Sequence, residues 1–261
     1  MRISYRAHGG SQDYWQRRWD GVAVDSGAIN LDRYPGRYAE AVIKAPRPDG
    51  PVLEAGCGAG RVLRHYHERG VSIIGLDFIA SVLAAIKGED PTVPMAAGDI
   101  TKLPFPDGSF SAVLAFGLYH GLEAHLEEAM ADTRRILKPG GLLCASMRLD
   151  NLQNRVTDNM AERAMPEGPR RFHKLNLTSR EFRSLVGDTG FEVMAIEYVE
   201  NMSFLYKYAF LRHASQRVFN ESAARGQGYR FNLAGTIAQR TAMVMAPAQM
   251  ANLAVITARA V

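Results

Sequence analysis

A glutamate, a cluster of glycines and an aspartate are spaced in this chain as a receptor for a charged nucleoside would need them. Residues 52–60 read Val-Leu-Glu-Ala-Gly-Cys-Gly-Ala-Gly, a buried strand that runs into a glycine turn and then into a helix from 61 to about 69. A second apolar run, 71–76, closes on Asp77. Glycines let a backbone pass close to a ligand with no Cβ in the way. An acid at the end of the neighbouring strand can accept two hydrogen bonds from a ribose diol. Strand, glycine turn, helix and strand-end acid together form a nucleoside-binding constellation.

The spacing discriminates between nucleosides. A dinucleotide site needs G-x-G-x-x-G, with a small third residue so that the helix N-terminus can approach a pyrophosphate. Here the glycines are Gly56, Gly58 and Gly60, and Arg61 stands where the close packing would be required. Glu54, two residues before the first glycine, would repel a pyrophosphate and attract an ammonium group. An acid for a cation, a turn for close approach and an acid for a ribose fit S-adenosylmethionine better than a nicotinamide dinucleotide.

At this point the sequence resembles the class I S-adenosylmethionine-dependent methyltransferases, and within them the group that includes the ubiquinone/menaquinone C-methyltransferases. Further motifs carry the resemblance in the same order as in that family. Residues 95–100, Met-Ala-Ala-Gly-Asp-Ile, look like its third strand and strand-end acid. Residues 103–110, Leu-Pro-Phe-Pro-Asp-Gly-Ser-Phe, match its loop before the fourth strand, and 111–116 read as that strand. Residues 117–122, Gly-Leu-Tyr-His-Gly-Leu, occupy the segment that faces the methyl group, and Lys-Pro-Gly-Gly at 138–141 is the turn into a fifth strand, 142–147.

The resemblance implies an α/β fold: a Rossmann-like, seven-stranded, mostly parallel sheet with helices on both faces and an antiparallel last strand. An N-terminal helical cover and two insertions are added to it. The cofactor is S-adenosyl-L-methionine. Glu54 would orient its ammonium, with Gly56 and Gly58 backbone groups in support and Cys57 and Gly60 completing the turn. Asp77 would hold the ribose, Phe78 and Ile79 would wall the adenine, and Gly98, Asp99 and Ile100 would read its edge. Phe116 and Gly117 would line the methyl site.

Composition agrees with an enzyme of this size. A chain of 261 residues, 47% hydrophobic, suits one large α/β domain better than two. A net charge of +4 hints at acidic substrates without requiring nucleic acid. No run of 18 apolar residues predicts a membrane span, and residues 1–5 lack the apolar core of a signal peptide. Cys57 and Cys144 suit a reducing cytoplasm and predict neither a disulfide framework nor a metal site.

The elements divide the chain into one methyltransferase domain with six stretches. Residues 1–49 form the N-terminal cover: 1–12 polar and mobile, 13–19 a short helix with Trp15 and Trp19 on one face, then a helix to about Lys44. Trp15 and Trp19 would contact substrate, or simply pack against the domain. Residues 50–147 are the cofactor-binding core. Residues 148–176 are a substrate-side insertion carrying Arg170, Arg171 and His173, candidates for an acidic acceptor group, with a solvated charged surface as the alternative. Residues 177–200 add a helix, opened by capping-box spacing at Thr178 and Glu181, and the sixth strand, 191–198. Residues 201–250 are a second insertion: an amphipathic helix through Phe204, Leu205, Tyr208, Leu211, Arg212 and Phe219, a break at 226–231, and an Ala/Met-rich stretch. It would be core plus a partial lid, or else a homodimer interface. The final strand lies in 251–261.

The expected reaction is methyl transfer to a small molecule by in-line displacement, the acceptor carrying an acidic group and an apolar body. Because the sulfonium carbon is already electrophilic, alignment is the protein's main task. His120, just past the fourth strand, is the candidate general base and Tyr119 a hydrogen-bonding partner for the acceptor; a structural histidine is the plainer alternative. Nucleic-acid methylation is the enzyme alternative, against which stand the missing Asn/Asp-Pro-Pro-aromatic tetrapeptide at 115–118 and the lack of a basic stripe with interleaved aromatics. A non-catalytic S-adenosylmethionine sensor or partner subunit is the other alternative.

Overall fold

A computed structural model of the chain describes residues 1–7, 29–200, 202–218 and 228–261. The central sheet has seven strands: β2 (Val52–Ala55), β3 (Ile73–Asp77), β4 (Met95–Ala97), β5 (Phe110–Ala115), β6 (Leu137–Arg148), β8 (Phe191–Val199) and β9 (Leu253–Ala260). Their order is β4-β3-β2-β5-β6-β9-β8, parallel except for β9, which runs antiparallel to both neighbours. This is the sheet expected from the sequence.

Alternation along the strands feeds two cores. On β5, Val113 and Ala115 join one apolar cluster while Ala112 and Leu114 join the other, as the period of two requires. One face is covered by α1 (Gly36–Lys44), α2 (Arg61–His67) and α3 (Ala80–Glu89), through Val42, Leu63 and Ile86. The other is covered by α4 (Leu126–Ile136) and α6 (Ser179–Asp188), through Met130 and Phe182. Burial on both faces explains why β2 and β5 are apolar or small throughout, Glu54 and Ser111 apart. The capping box that opens α6 forms as expected: Glu181 N donates to Thr178 Oγ1 while Glu181 Oε2 accepts from Thr178 N.

Three expectations are corrected. The first residues are not loose. β1 (Arg2–Arg6) pairs antiparallel with β7 (Arg171–Asn176) in a separate two-stranded ribbon. It is also tied to α5 (Leu152–Arg163), where Asp158 accepts hydrogen bonds from Arg2 at 2.8 Å, Arg6 at 2.9 Å and Arg148 at 2.8 and 2.9 Å. So the 148–176 insertion is a helix and a strand, and its partner strand lies at the other end of the chain.

The second correction concerns 204–216, which is not one amphipathic helix but three 3₁₀ turns: Phe204–Lys207, Ala209–Leu211 and Ala214–Gln216. Arg212 explains the alternative. Its buried guanidinium donates to the carbonyls of Tyr206 (2.6 Å), Lys207 (2.7 Å) and Arg217 (2.8 Å), satisfying groups that a continuous helix would have paired internally. The helical part of that insertion is α7 (Leu233–Met245), capped by Asn232 and followed by the short α8 (Pro247–Met250). The third correction is small: the strand ending near Asp99 stops at Ala97, because Asp99 accepts from Thr101 N and turns the chain. The expected helix over 13–19 and Phe219 lie outside the described residues.

The sheet positions the site by its order. β3 and β4 lie on one side of β2, whereas β5 lies on the other. The carboxyl ends of β2 and β5 therefore diverge into a crevice at the topological switch point, where open α/β sheets bind ligands.

Candidate functional site

Two turns face each other across that crevice. The first, Gly56–Gly60, needs glycine for conformation and for space. Gly56 sits at φ 69°, and a Cβ there would lie 2.9 Å from Leu118 Cδ1, on the opposing turn. Gly60, at φ 71°, is the left-handed residue from which α2 starts.

Carboxylates hold this turn. Glu54 is buried at the end of β2, and its Oε2 accepts from the Leu63 amide at 2.7 Å, in the first turn of α2. Asp77, buried at the end of β3, accepts from Gly58 N at 2.9 Å and Ile79 N at 3.0 Å, one oxygen each. Burial pushes the Glu54 carboxyl up to about 8, against the Leu63 hydrogen bond and the Arg61 charge; nearby Asp77 adds to the rise. Burial also raises Asp77, against backbone hydrogen bonds. Neither acid makes an ion pair among the described residues. Two adjacent buried acids without an ion-pair partner are short of a cation.

The glycine amides are otherwise engaged. Gly56 N and Cys57 N both donate to Leu76 O, at 2.7 and 3.0 Å, and Gly58 N is taken by Asp77. These amides fasten the turn to β3, so Gly56 and Gly58 contribute shape and not free donors. Cys57 is buried against the position of Gly75 on the α2 side, and burial keeps its thiol well above the usual range.

The neighbouring residues divide. Phe78 is exposed and free to lie along a ligand, whereas Ile79 is packed among the α1–α3 core side chains. Asp99 is exposed, its Oδ1 held by Thr101, and lies one strand farther out; Ile100 is buried in the opposite core. Ile79 and Ile100 therefore do not offer bare walls. Gly98 is squeezed between Leu76 and Pro104.

The opposing turn follows β5. Gly117, at φ 76°, donates its amide to Ser146 Oγ at 2.8 Å, and Ser146 Oγ lies 3.0 Å from the Tyr34 hydroxyl. Tyr34 also packs edge-on against Phe116 at 5.7 Å, and burial pushes its phenol up to about 12. Sequence reasoning missed Tyr34 and Ser146. Tyr34 had one signal, an aromatic beside a proline just before α1; Ser146 had none, being a small polar residue within a buried strand.

His120 lies in a 3₁₀ turn, Tyr119–Gly121, with β7 alongside. It is buried, and its Nδ1 has no hydrogen-bond partner. Burial, then the charges of Lys174 and Arg148 and the neighbouring His173, hold it well below the usual imidazole range, so it is uncharged at neutral pH. His173 is pushed down to about 3 by burial and by Arg6, Lys174 and Arg148, with Asp158 opposing. Tyr119 does not face the crevice. It is wholly buried, with its hydroxyl 2.7 Å from Thr133 Oγ1 on α4, and the expectation that it meets an acceptor is corrected. Arg170 and Arg171 are exposed, at the outer end of the ribbon where Arg171 pairs with Arg6. Trp15 and Trp19 lie outside the described residues. Among the described residues no three His, Cys, Asp or Glu side chains are grouped to hold a metal, and no helix is long and apolar enough to cross a membrane.

Known proteins resemble this chain in its core sequence and in its fold. Residues 53–145 match the family model described as a methyltransferase domain. A demethylmenaquinone methyltransferase of Renibacterium salmoninarum is 35% identical over 129 residues, 49% of this chain and 46% of that protein. A malonyl-[acyl-carrier protein] O-methyltransferase of Enterobacter lignolyticus is 26% identical over 158 residues, 58% of this chain and 60% of that protein. The matched region thus spans about half the length of these curated relatives. The crystal structure of an S-adenosylmethionine-dependent methyltransferase from Archaeoglobus fulgidus shares the fold, with a TM-score of 0.55 at 16% identity over 95% of this chain and 94% of that one.

Proposed function

We propose a function on one premise: the chain carries a class I S-adenosylmethionine-dependent methyltransferase domain, akin to the menaquinone group. On that premise the protein methylates a small molecule that bears an acidic group and an apolar body. The observation that carries the donor half is the pair of buried, cation-deficient carboxylates, Glu54 and Asp77, at the switch point. They fit a ligand with an ammonium and a ribose diol.

When bound, S-adenosylmethionine supplies an electrophilic methyl group on a sulfonium sulfur. Glu54 receives the ammonium, and its proton leaves as the cation arrives, because an opposite charge favours the carboxylate. Asp77 keeps its two backbone hydrogen bonds and uses remaining lone pairs for the ribose hydroxyls. Phe78 lies along the base, and Asp99 accepts from its edge. Gly117, fixed by Ser146 and Tyr34, sets the wall of the methyl site; holding reactants in near-attack geometry can contribute roughly 7–11 kcal/mol.

On the acceptor side His120 is a neutral imidazole with an unpartnered Nδ1. It accepts a proton from an acceptor hydroxyl or acidic carbon, or donates a hydrogen bond to an acceptor oxygen, according to its tautomer. Burial above all, and then the positive charge of Lys174, keep it uncharged, and the same positive charge favours an anionic acceptor. Half-buried Phe116 and Leu118 supply apolar contact. Relatives named for demethylmenaquinone and for a malonyl carrier protein support a small or carrier-borne acceptor.

The test is methyl transfer from isotope-labelled donor to a panel of hydroquinones and carboxylic acids. Label in a small product that requires His120 supports the proposal. Tight donor binding with no transfer to any fraction of a cell extract would leave a cofactor sensor, and label in RNA would make it a nucleic-acid enzyme.

A further inference from the structure

The 202–250 insertion presents a surface that the methyl-transfer site does not use. α7 turns Gly235 and Gln239 inward and leaves Leu233, Ile237, Val244 and Met245 in solvent, at 77%, 57%, 80% and 78% exposure. Leu233, Ile237, Val244 and Met245 lie on one side of the helix, with the exposed Thr241 between them, and form one largely apolar stripe. Phe210, 74% exposed, extends it, because the Phe210 carbonyl accepts from Asn232 Nδ2 at the start of the helix. A 13-residue helix makes this stripe roughly 20 Å long. Isolated exposed apolar side chains are ordinary, but a contiguous row of large ones marks an interaction site.

The charge around the stripe selects the partner. The described residues of 202–250 hold no aspartate or glutamate, while Arg217, Arg230 and Arg240 are exposed. Arg240 stands within the helix, three residues from Ile237 and four from Val244, and so borders the stripe. A two-fold contact through this face would bring together two surfaces whose described 202–250 residues carry arginines and no acid. An anionic bilayer surface offers what both features need: an apolar layer a few ångströms deep for the side chains, and phosphates for the guanidinium groups.

We propose that this insertion is a membrane-surface docking face, in which Phe210, Leu233, Ile237, Val244 and Met245 enter the interfacial layer and the arginines bind anionic lipid headgroups. The helix lies in the plane of the interface and does not cross it. None of these residues belongs to the glycine turn, the carboxylate pair or the His120 turn, so docking can be tested without reference to methyl transfer.

The experiment is flotation of the full chain with vesicles of phosphatidylcholine alone and of phosphatidylcholine with one-quarter phosphatidylglycerol. The expected result is retention on the anionic vesicles at least tenfold above the neutral ones, lost in high salt. Leu233→Ser with Ile237→Ser should lower partition at least tenfold, with unchanged thermal midpoint and S-adenosylhomocysteine affinity. Arg240→Glu should lower binding to anionic vesicles by roughly fivefold or more and leave the neutral baseline unmoved. Absence of retention on anionic vesicles would overturn the proposal, as would variants that bind like the parent. A concentration-dependent dimer that Ile237→Ser dissolves, with no vesicle binding, would assign the face to a second copy and overturn it equally.

Discussion

The two sides of the crevice are built differently. On the donor side, Glu54, the glycine turn and Asp77 lie within two dozen residues, and short hydrogen bonds between neighbouring strands fix them. On the acceptor side, the ribbon beside His120 joins the first strand to residues about 170 positions away, and one buried carboxylate, Asp158 on α5, gathers Arg2 and Arg6 from β1 and Arg148 from β6. A local motif is carried by spacing, and it recurs wherever the ligand recurs. The charge cluster depends on tertiary contacts between distant segments, which no short spacing in the sequence encodes.

If that contrast is sound, damage to each side should be separable. Asp158→Asn should have the largest effect. Its carboxyl stays below the usual range although burial opposes this, because the bonds from Arg148, Arg2 and Arg6 outweigh it. Removing the charge leaves buried Arg148 uncompensated, a loss of about 3–5 kcal/mol. Urea unfolding should show it, and folded protein in the cold should still bind S-adenosylhomocysteine; loss of that affinity in folded protein would break the contrast. His120→Ala should follow, lowering turnover by roughly a hundredfold or more with donor affinity within about twofold. Full turnover would return His120 to a packing role.

On the donor side, affinity should depend on pH through Glu54. Burial pushes its carboxyl up to about 8 in the free protein, so at pH 6–7 the protonated form dominates. An arriving ammonium lowers that value and expels the proton. Affinity should therefore rise as pH rises from 6 toward 8, approaching tenfold per unit at most, and level off above. Glu54→Gln should flatten the profile; an unchanged slope in calorimetry would remove Glu54 from the ammonium site. The smallest effect tests the scaffold alone: Thr178→Ala removes a cap, costing about 1 kcal/mol in thermal unfolding with both affinities intact. A change in donor affinity there would mean that α6 and the crevice are coupled.

The same contrast decided what the sequence disclosed. The order of strands, the glycine turn and the strand-end acids were legible because each depends on neighbours in sequence. β1 was hidden because Arg2–Arg6 has no partner nearby; only the folded chain brings β7 to it. The 3₁₀ turns at 204–216 were hidden because apolar spacing there fits a helix, and only Arg212 reveals that its carbonyls point elsewhere. Ile79, Ile100 and Tyr119 carried motif positions, yet their side chains fill cores. Motif spacing marks where the backbone passes the crevice, and burial decides which side chains reach it.

Burial also changes how Asp77 should be tested. Replacing it with alanine would orphan the Gly58 and Ile79 amides and loosen the turn, so a stability loss is expected beside any loss of affinity. Asp77→Asn retains an acceptor and is the cleaner probe. The most direct measurement is isothermal titration of the parent and Asp77→Asn with S-adenosylhomocysteine, in buffers of different ionisation enthalpy. The expected result is micromolar binding by the parent with release of a proton, weakened at least tenfold in the folded variant. No binding by the parent at millimolar ligand would contradict the claim that the paired carboxylates form the donor site.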